Sequence, residues 1–454
     1  MGGTLSKSAA PTTYESLRKA GPEVLEPADA EYANRQASYW SNSAKLLPSC
    51  IVRPGNAAEV ATTIKILVAV QEIFAVRSGG HTQWAGSNNI EQGVTIDLGR
   101  LSWTCYDAES ETVDIGPGGR WHNVYGELAK HGRSVAGGRE GNVGVAGLIL
   151  GSGNTFYKAR HGFACDNVVA FEVVLADGRI VTARADDDAT DDLFWALKGR
   201  SGNFGIVTNF RMRALKSGTI WGGLTFFPRQ VTAAAAQALV DFTEGIHQDV
   251  DSNLLCFFAY TGDTCQMTTM PKLVSAPQNN LPTDYYNIWF TATFKNDVRI
   301  VNKAAELHEA MVDELKVFIS DGDFWTQCLF QPLPKLFGER SAAAGGNAMG
   351  VERQSVDGLL FQAAAMVRTP EQETFVYPKI KAWITAVKDF AATIDGGLLE
   401  WTYLNYADKS QDPLASYGKQ NVKKLQGVAM KYDPGKVFQH LSPGGFKISQ
   451  VKTC

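Results

Sequence analysis

Gly137-Gly138-Arg139-Glu140-Gly141-Asn142-Val143-Gly144-Val145-Ala146-Gly147-Leu148-Ile149-Leu150-Gly151-Ser152-Gly153 is the stretch that decides how this chain is read. Its small residues recur with neither the 3.6-residue period of a helix nor the alternation of a strand. A segment of this kind can lie flat against a large planar ligand. Without a ligand it would be a close-packed buried loop. Two shorter pieces share its character: Arg77-Ser78-Gly79-Gly80-His81, and Gly202-Asn203-Phe204-Gly205-Ile206-Val207. The chain holds 44 glycines, and they gather between about residues 79 and 205. Glycine clusters where backbone approaches a ligand or turns sharply. A loop-rich β protein would also be rich in glycine, but without this clustering.

The surrounding sequence narrows the class. The chain has 454 residues, long enough for about three folding units or two large ones. Hydrophobic residues make up 44% and charged residues 20%, so whole-chain disorder, a collagen-like fibre and a coiled coil are excluded. The net charge of −4 argues against nucleic acid as the main partner. Seven scattered cysteines form no CxxC and no zinc-ligand spacing, and a disulfide framework is not expected, although one isolated pair stays open. The acidic run Asp186-Asp187-Asp188 with Asp191-Asp192 reads as a solvated loop, and no metal site is expected.

No run of about 18 apolar residues is present, so no transmembrane helix is expected. The start lacks the apolar core of a signal peptide, and no Asn-x-Ser/Thr acceptor occurs. The expectation is a cytoplasmic protein. Gly2 with Ser6 also fits the myristoylation pattern, which would give a weak membrane tether.

Element signals divide the chain. Residues 1–45 read as a polar leader and one helix. From 46 to 217 short strands and helices alternate: a helix at 58–71, then strands at 73–76, 94–98 and 112–115. A helix follows from Trp121 to Lys130, and a hairpin turns at Ala176-Asp177-Gly178. From 218 to 399 glycine thins, helices lengthen (231–246, 300–318), and strand-like runs lie at 254–260, 286–293 and 358–367. This part reads as an antiparallel sheet covered by helices. Residues 338–350 are expected to form a mobile loop. Residues 400–454 return to short elements.

Successive N–H groups in the turn at Arg77–His81 can form an anion-binding nest suited to a pyrophosphate. The turn is no Walker A loop, since no Gly-Lys-Ser/Thr ending follows. It is no Rossmann fingerprint either, since no GxGxxG opens a helix after a first strand.

Together the pieces resemble the FAD-binding (PCMH-type) domain of the vanillyl-alcohol oxidase superfamily, in its berberine-bridge-enzyme-like branch. The resemblance rests on Arg77-Ser78-Gly79-Gly80-His81, Val143-Gly144-Val145-Ala146-Gly147-Leu148, Asp166-Asn167-Val168, Gly202-Asn203-Phe204-Gly205-Ile206-Val207, Tyr403-Leu404-Asn405-Tyr406 and Tyr432-Asp433-Pro434. It runs from about residue 46 to 447. Ala146 replaces a usual glycine, Ser152 interrupts the glycine run, and His161 stands where the family often has Tyr.

The resemblance implies an α+β fold: a two-lobed FAD domain over 46–217, a substrate domain of antiparallel sheet backed by helices over 218–399, and a C-terminal segment, 400–454, returning to the FAD domain. It implies an FAD-linked oxidoreductase acting on a small organic, specialised-metabolite-type substrate. His81 would carry the flavin on a single covalent bond to its 8α-methyl. Some family members add a thioether through a Cys at the place Glu140 occupies here, which a carboxylate cannot make. Arg77, Ser78, Gly79, Gly80 and Thr82 would surround the pyrophosphate, with Gly86 and Ser87 beyond. Gly144, Gly147 and Leu148 would line the flavin, and Ile206 and Val207 would contact adenine or ribose. Gly118, Gly138, Val143, Gly151, Asn154, Asp166, Asn167, Gly202, Gly205 and Asn405 are further cofactor-binding candidates.

Catalysis would use Tyr406, with Tyr403 and Asn405 beside it. Flavin N5 takes a hydride, and a base must take the substrate proton. A free tyrosine has a pKa of about 10, so Tyr406 would need a lysine or arginine neighbour, which the sequence does not identify. Alternatively it only packs on the flavin. Val143 matches the oxygen-gate position, where a small residue favours an oxidase releasing H2O2. Two rival functions stay open: oxidative cyclisation of a specialised metabolite, and a non-redox cyclase or binding scaffold with structural FAD. Trp289, Phe290, Phe324 and Trp325 are candidates for an apolar pocket, and Trp401 for its edge.

Overall fold

The β-branched run Val94–Asp97 lies inside a four-stranded sheet in the computed structural model, which describes residues 13–218, 222–223, 225–261, 265–271 and 282–451. Cys50–Arg53 and Phe74–Arg77 flank it in parallel, and Glu23–Leu25 adds an antiparallel edge. Parallel pairing needs a crossover. Helix Ala57–Ala69 supplies one between Cys50–Arg53 and Phe74–Arg77, and its first turn is capped where the Asn56 side chain accepts from the Glu59 N–H at 2.9 Å. Its face of Val60, Ile64 and Leu67 is fully buried with Val52, Phe74, Val94 and Ile96. The expected single N-terminal helix is two, Thr13–Lys19 and Ala30–Ala37, and the strand between them belongs to this sheet. The myristoylation pattern at Gly2 lies outside the described residues.

A second sheet is wholly antiparallel, in the order Thr104–Asp107, Thr112–Ile115, Ile206–Arg213, Val168–Val174, Ile180–Arg184. The last two strands form the expected hairpin, and Gly178 takes the positive φ of +76° that its turn requires. Phe171, Phe204 and Phe210 are buried in the core beneath it, with Trp121 and Phe163.

The third sheet has seven antiparallel strands: Thr225–Phe227, Cys265–Pro271, Leu254–Thr261, Trp325–Leu333, Gly358–Val367, Tyr286–Lys295 and Leu398–Leu399. Strand residues alternate faces. Phe258, Phe290, Phe294, Phe330 and Phe361 point to one side, where they form a core with helices Thr232–Gly245, Val298–Phe318 and Pro370–Ala392. Phe257, Trp289, Trp325, Gln327, Leu329 and Gln362 point to the other, into a large cavity. The architecture is the expected α+β one.

Residues 338–350 do not form the expected mobile loop. Helix Lys335–Ala343 covers the first half. A Cβ on Gly338 would lie 2.7 Å from the Glu352 Cα, and Ser341 and Asn347 are buried. Small residues serve close packing here. Cys50, Cys105, Cys165 and Cys256 are free thiols. Among the described residues no helix is long and apolar enough to cross a membrane.

The C-terminal segment lies against the second sheet's lobe. Tyr432 donates to Asp192 at 2.7 Å, and Asn203 donates to the Phe446 carbonyl at 2.9 Å.

Candidate active site

The turn after Phe74–Arg77 brings Ser78, Gly79, Gly80, His81 and Thr82 to the wall of a cavity of about 760 Å³, in the upper part of the range of ligand pockets. Glycine is required at two facing positions. A Cβ on Gly79 would lie 2.5 Å from the Gly144 Cα, and one on Gly144 would lie 2.5 Å from the Gly79 nitrogen. The two glycine stretches therefore touch backbone to backbone. Arg120 ties them, donating to the carbonyls of Gly79 (2.9 Å) and Asn142. Gly80 sits at φ +67°.

His81 lines the cavity with its ring stacked on Trp40, centroids 4.3 Å apart and planes within 8°. Burial, reinforced by the Arg120 charge, pushes its pKa down to about 4. The imidazole is therefore neutral at pH 7 and carries a free ring lone pair.

Within the deciding glycine stretch, Val145–Leu150 forms a short helix. Six residues are less than two turns, too few to show a period. Gly147 turns outward, with nothing within 4 Å of a Cβ, so this part of the wall is flat. Val143, Gly144, Leu148, Asn154, Gly202, Gly205, Ile206, Val207 and Ser87 also line the cavity.

The tyrosine segment closes the opposite side. Tyr403 is buried, and its hydroxyl accepts from the Asn154 N–H (2.8 Å) and from Asn405 Nδ2 (3.2 Å). Burial, and then neighbouring Tyr406, raise its pKa, so Tyr403 stays a phenol. Asn405 Nδ2 also donates to the Leu148 carbonyl at 3.1 Å, fastening this segment to the glycine wall. Tyr406 is half-buried. Its hydroxyl accepts from Arg139 Nη2 at 3.0 Å and Gln331 Nε2 at 3.2 Å. Its ring meets Trp289 edge-on at 5.8 Å. Arg139 is the cationic neighbour that the sequence left unidentified; it lies in the deciding stretch itself but far from Tyr406 along the chain.

Other predicted residues stand behind the wall. Arg77 is fully buried, stacked 3.8 Å from the Tyr39 ring centroid and donating to the Arg35 carbonyl and Ser38. Gly86 lies against Gly444, and Gly118 against Leu98. Gly138 packs on Trp121 and Gly151 on Asn405, each where a Cβ would overlap the neighbour. Asp166 accepts from Ser341 (2.6 Å) and Asn347 (2.9 Å), and Asn167 donates to the carbonyls of His161 and Phe163. Trp289 and Trp325 line the cavity, whereas Phe290 and Phe324 lie in the core on the sheet's other face. Trp401 does not line it; its ring packs against Phe163 and Tyr403.

Lys447 also lines the cavity, donating to the Gly202 carbonyl at 3.3 Å; burial pushes its pKa down to about 7. Among the described residues no cluster of His, Cys, Asp or Glu is placed to hold a metal ion. Asp192 of the acidic run instead pairs with Lys431. Several buried donors at the cavity have no protein partner: Arg139 Nη1, Asn154 Nδ2, Trp289 Nε1 and Gln362 Nε2. A glycine-walled space of this size, edged by unpaired donors, fits a flavin dinucleotide with a substrate beside it.

The relationships of the chain agree. A family model described as FAD binding domain matches residues 48–184. The FAD-dependent monooxygenase drtC of Aspergillus calidoustus is 39% identical over 478 residues, covering 96% of this chain and 90% of that protein. The bifunctional solanapyrone synthase of Alternaria solani is 31% identical, covering 94% and 86%. Among solved structures, the glucooligosaccharide oxidase of Acremonium strictum shares the fold with a TM-score of 0.76 at 18% identity, covering 98% of this chain and 100% of that one. The chain belongs to the family of these FAD-dependent monooxygenases and FAD-linked oxidoreductases. It is an FAD-dependent oxidoreductase.

Proposed function

We propose that the protein is an oxidase that removes a hydride and a proton from a small organic substrate of the specialised-metabolite type. Bound FAD would supply the two-electron acceptor for the hydride, which O2 would reoxidise with release of H2O2. The observation that carries this reading is the Arg139 guanidinium 3.0 Å from the Tyr406 hydroxyl at the cavity wall. A positive group there stabilises negative charge on that oxygen, which a base needs before it can take the substrate's O–H proton. Gln331 supports the same charge, and Tyr403 and Asn405 hold the segment in place.

His81 would anchor the flavin through one ring nitrogen, and its neutral imidazole suits that bond. Ser78, Gly79, Gly80 and Thr82 would hold the pyrophosphate, with the positive Arg120 behind them. Gly144, Gly147 and Leu148 would face the flavin, and Gly202, Gly205, Ile206 and Val207 the adenosine half, near Lys447. Val143, small and on the wall, would leave O2 a path.

The test begins with acid precipitation of the purified protein. Yellow colour in the pellet supports the anchor, and His81→Ala should release it. Colour in the supernatant removes the covalent claim but keeps FAD. Screening alcohols and phenols for H2O2 under 18O2 then separates an oxidase from a monooxygenase. An oxidase leaves no label in the organic product, and label in the product would overturn the reading. The 760 Å³ cavity and its aromatic sheet face also suit oxidative cyclisation, in which the oxidised substrate traps itself; product structure distinguishes the two.

A further inference from the structure

Among the described residues the sheet face above the cavity carries no acidic or basic side chain on its lining positions, yet it holds donors without acceptors. Trp289 Nε1 and Gln362 Nε2 are both buried and unpartnered. They share one face of neighbouring strands: Trp289 stands opposite Ala364, and Gln362 opposite Thr291, so the two are diagonal neighbours. A third unpartnered donor, Arg139 Nη1, belongs to the guanidinium whose Nη2 already holds Tyr406.

The chemistry of these groups is one-sided. Indole and guanidinium nitrogens donate and never accept. The Trp289 ring meets the Tyr406 ring edge-on, so the indole borders the space where Tyr406 would meet substrate. A buried donor without an acceptor carries a desolvation cost. A bound molecule that brings an acceptor removes that cost, whereas an ammonium group does not.

We infer that the substrate is a flat, conjugated hydroxy-carbonyl compound. Its hydroxyl faces Tyr406, and its carbonyl oxygen accepts from Trp289 and Gln362. This rests on the oxidoreductase reading for the hydroxyl, while the carbonyl recognition stands on the sheet face alone. The flat shape follows from the aromatic lining, with Phe257 and Trp325 on the same face. Trp289 and Gln362 are specificity residues here, not parts of the proton-transfer machinery.

The test compares two molecules of one shape on the FAD-loaded protein: 4-(hydroxymethyl)acetophenone and 4-ethylbenzyl alcohol, which lacks only the carbonyl oxygen. Affinity is read by calorimetry, and flavin reduction is followed separately in the visible spectrum. The ketone should bind at least tenfold more tightly than the ethyl compound. Trp289→Phe, which keeps a ring but loses the N–H, and Gln362→Leu should each cut that preference to threefold or less. Their affinity for the ethyl compound should hardly change.

Equal binding of the two probes by the unaltered protein, no binding of either, or a preference that survives both substitutions would overturn the inference. Should one variant misfold, the other still decides it. A carbonyl preference without flavin reduction by either probe would keep the recognition claim and count against the oxidase reading, so the two fail separately.

Discussion

Replacing Arg139 by methionine keeps most of the side chain's length and removes its charge. In the structure its Nη2 lies 3.0 Å from the Tyr406 oxygen. Two full charges at that separation interact by about 5.5 kcal/mol at an effective dielectric of about 20. Arg139 is only half-buried and the charge is partial at the transition state, so about half of that, roughly 2–3 kcal/mol, is expected in the barrier. That is a slowing of about 30- to 150-fold in flavin reduction, measured by anaerobic stopped-flow with whichever alcohol or phenol the H2O2 screen returns. Tyr406→Phe should cost about 10²- to 10⁴-fold, the usual range for a lost general base. The decisive variant is the double one. If Arg139 acts through the Tyr406 oxygen, Arg139→Met should add little to Tyr406→Phe. Full additivity, or an unslowed single Arg139→Met enzyme, would refute the reasoning.

Three further outcomes are expected. Val143→Leu should slow reoxidation of the reduced enzyme by O2 at least tenfold while leaving anaerobic reduction nearly unchanged; equal rates with O2 would remove the gate role. His308, fully buried with Nε2 2.8 Å from Thr326, has its pKa pushed down to about 3 by burial. The unfolded imidazole takes up its proton near pH 6.5 and the folded one does not, so stability is lost as pH falls from about 6.5 toward 3. Urea midpoints at pH 7 and pH 5 should show the loss, and His308→Gln should flatten it. Gly126, inside helix Trp121–Ala129 with nothing within 4 Å of a Cβ, should accept alanine with a gain of about 0.5–1 kcal/mol in chemical denaturation.

Much of the fold was legible because its strands are short, β-branched and bounded by glycine, as at Val94–Asp97 and the hairpin at Gly178. What stayed hidden was of two kinds. Helix Val145–Leu150 is shorter than two turns, and strand Trp325–Leu333 mixes glutamines and a proline into its buried run, so it shows no clean alternation. The stretch at 338–350 misled because small residues mark a tight fit as readily as a free loop, and Gly338 against Glu352 is the former. For the site, the glycine wall and the tyrosine segment stood out as motifs. Arg139 did not, although it lies among those glycines, because its meaning depends on a tyrosine 267 residues away. The strand period could have separated Trp289 from Phe290, since adjacent strand residues point to opposite faces.

The cavity is walled from both ends of the chain. Residues 78–82 open it, and Gly444, Gly445, Phe446 and Lys447 close it beside Gly202. Asn203 grips the Phe446 carbonyl, and Asn405 grips the Leu148 carbonyl. A nascent polypeptide still on the ribosome thus has one side of the container and not the other. Capture of the dinucleotide must wait for residues near 447 to leave the exit tunnel. A polypeptide stopped before Gly444 would emerge with its glycine wall made and nothing to close against it.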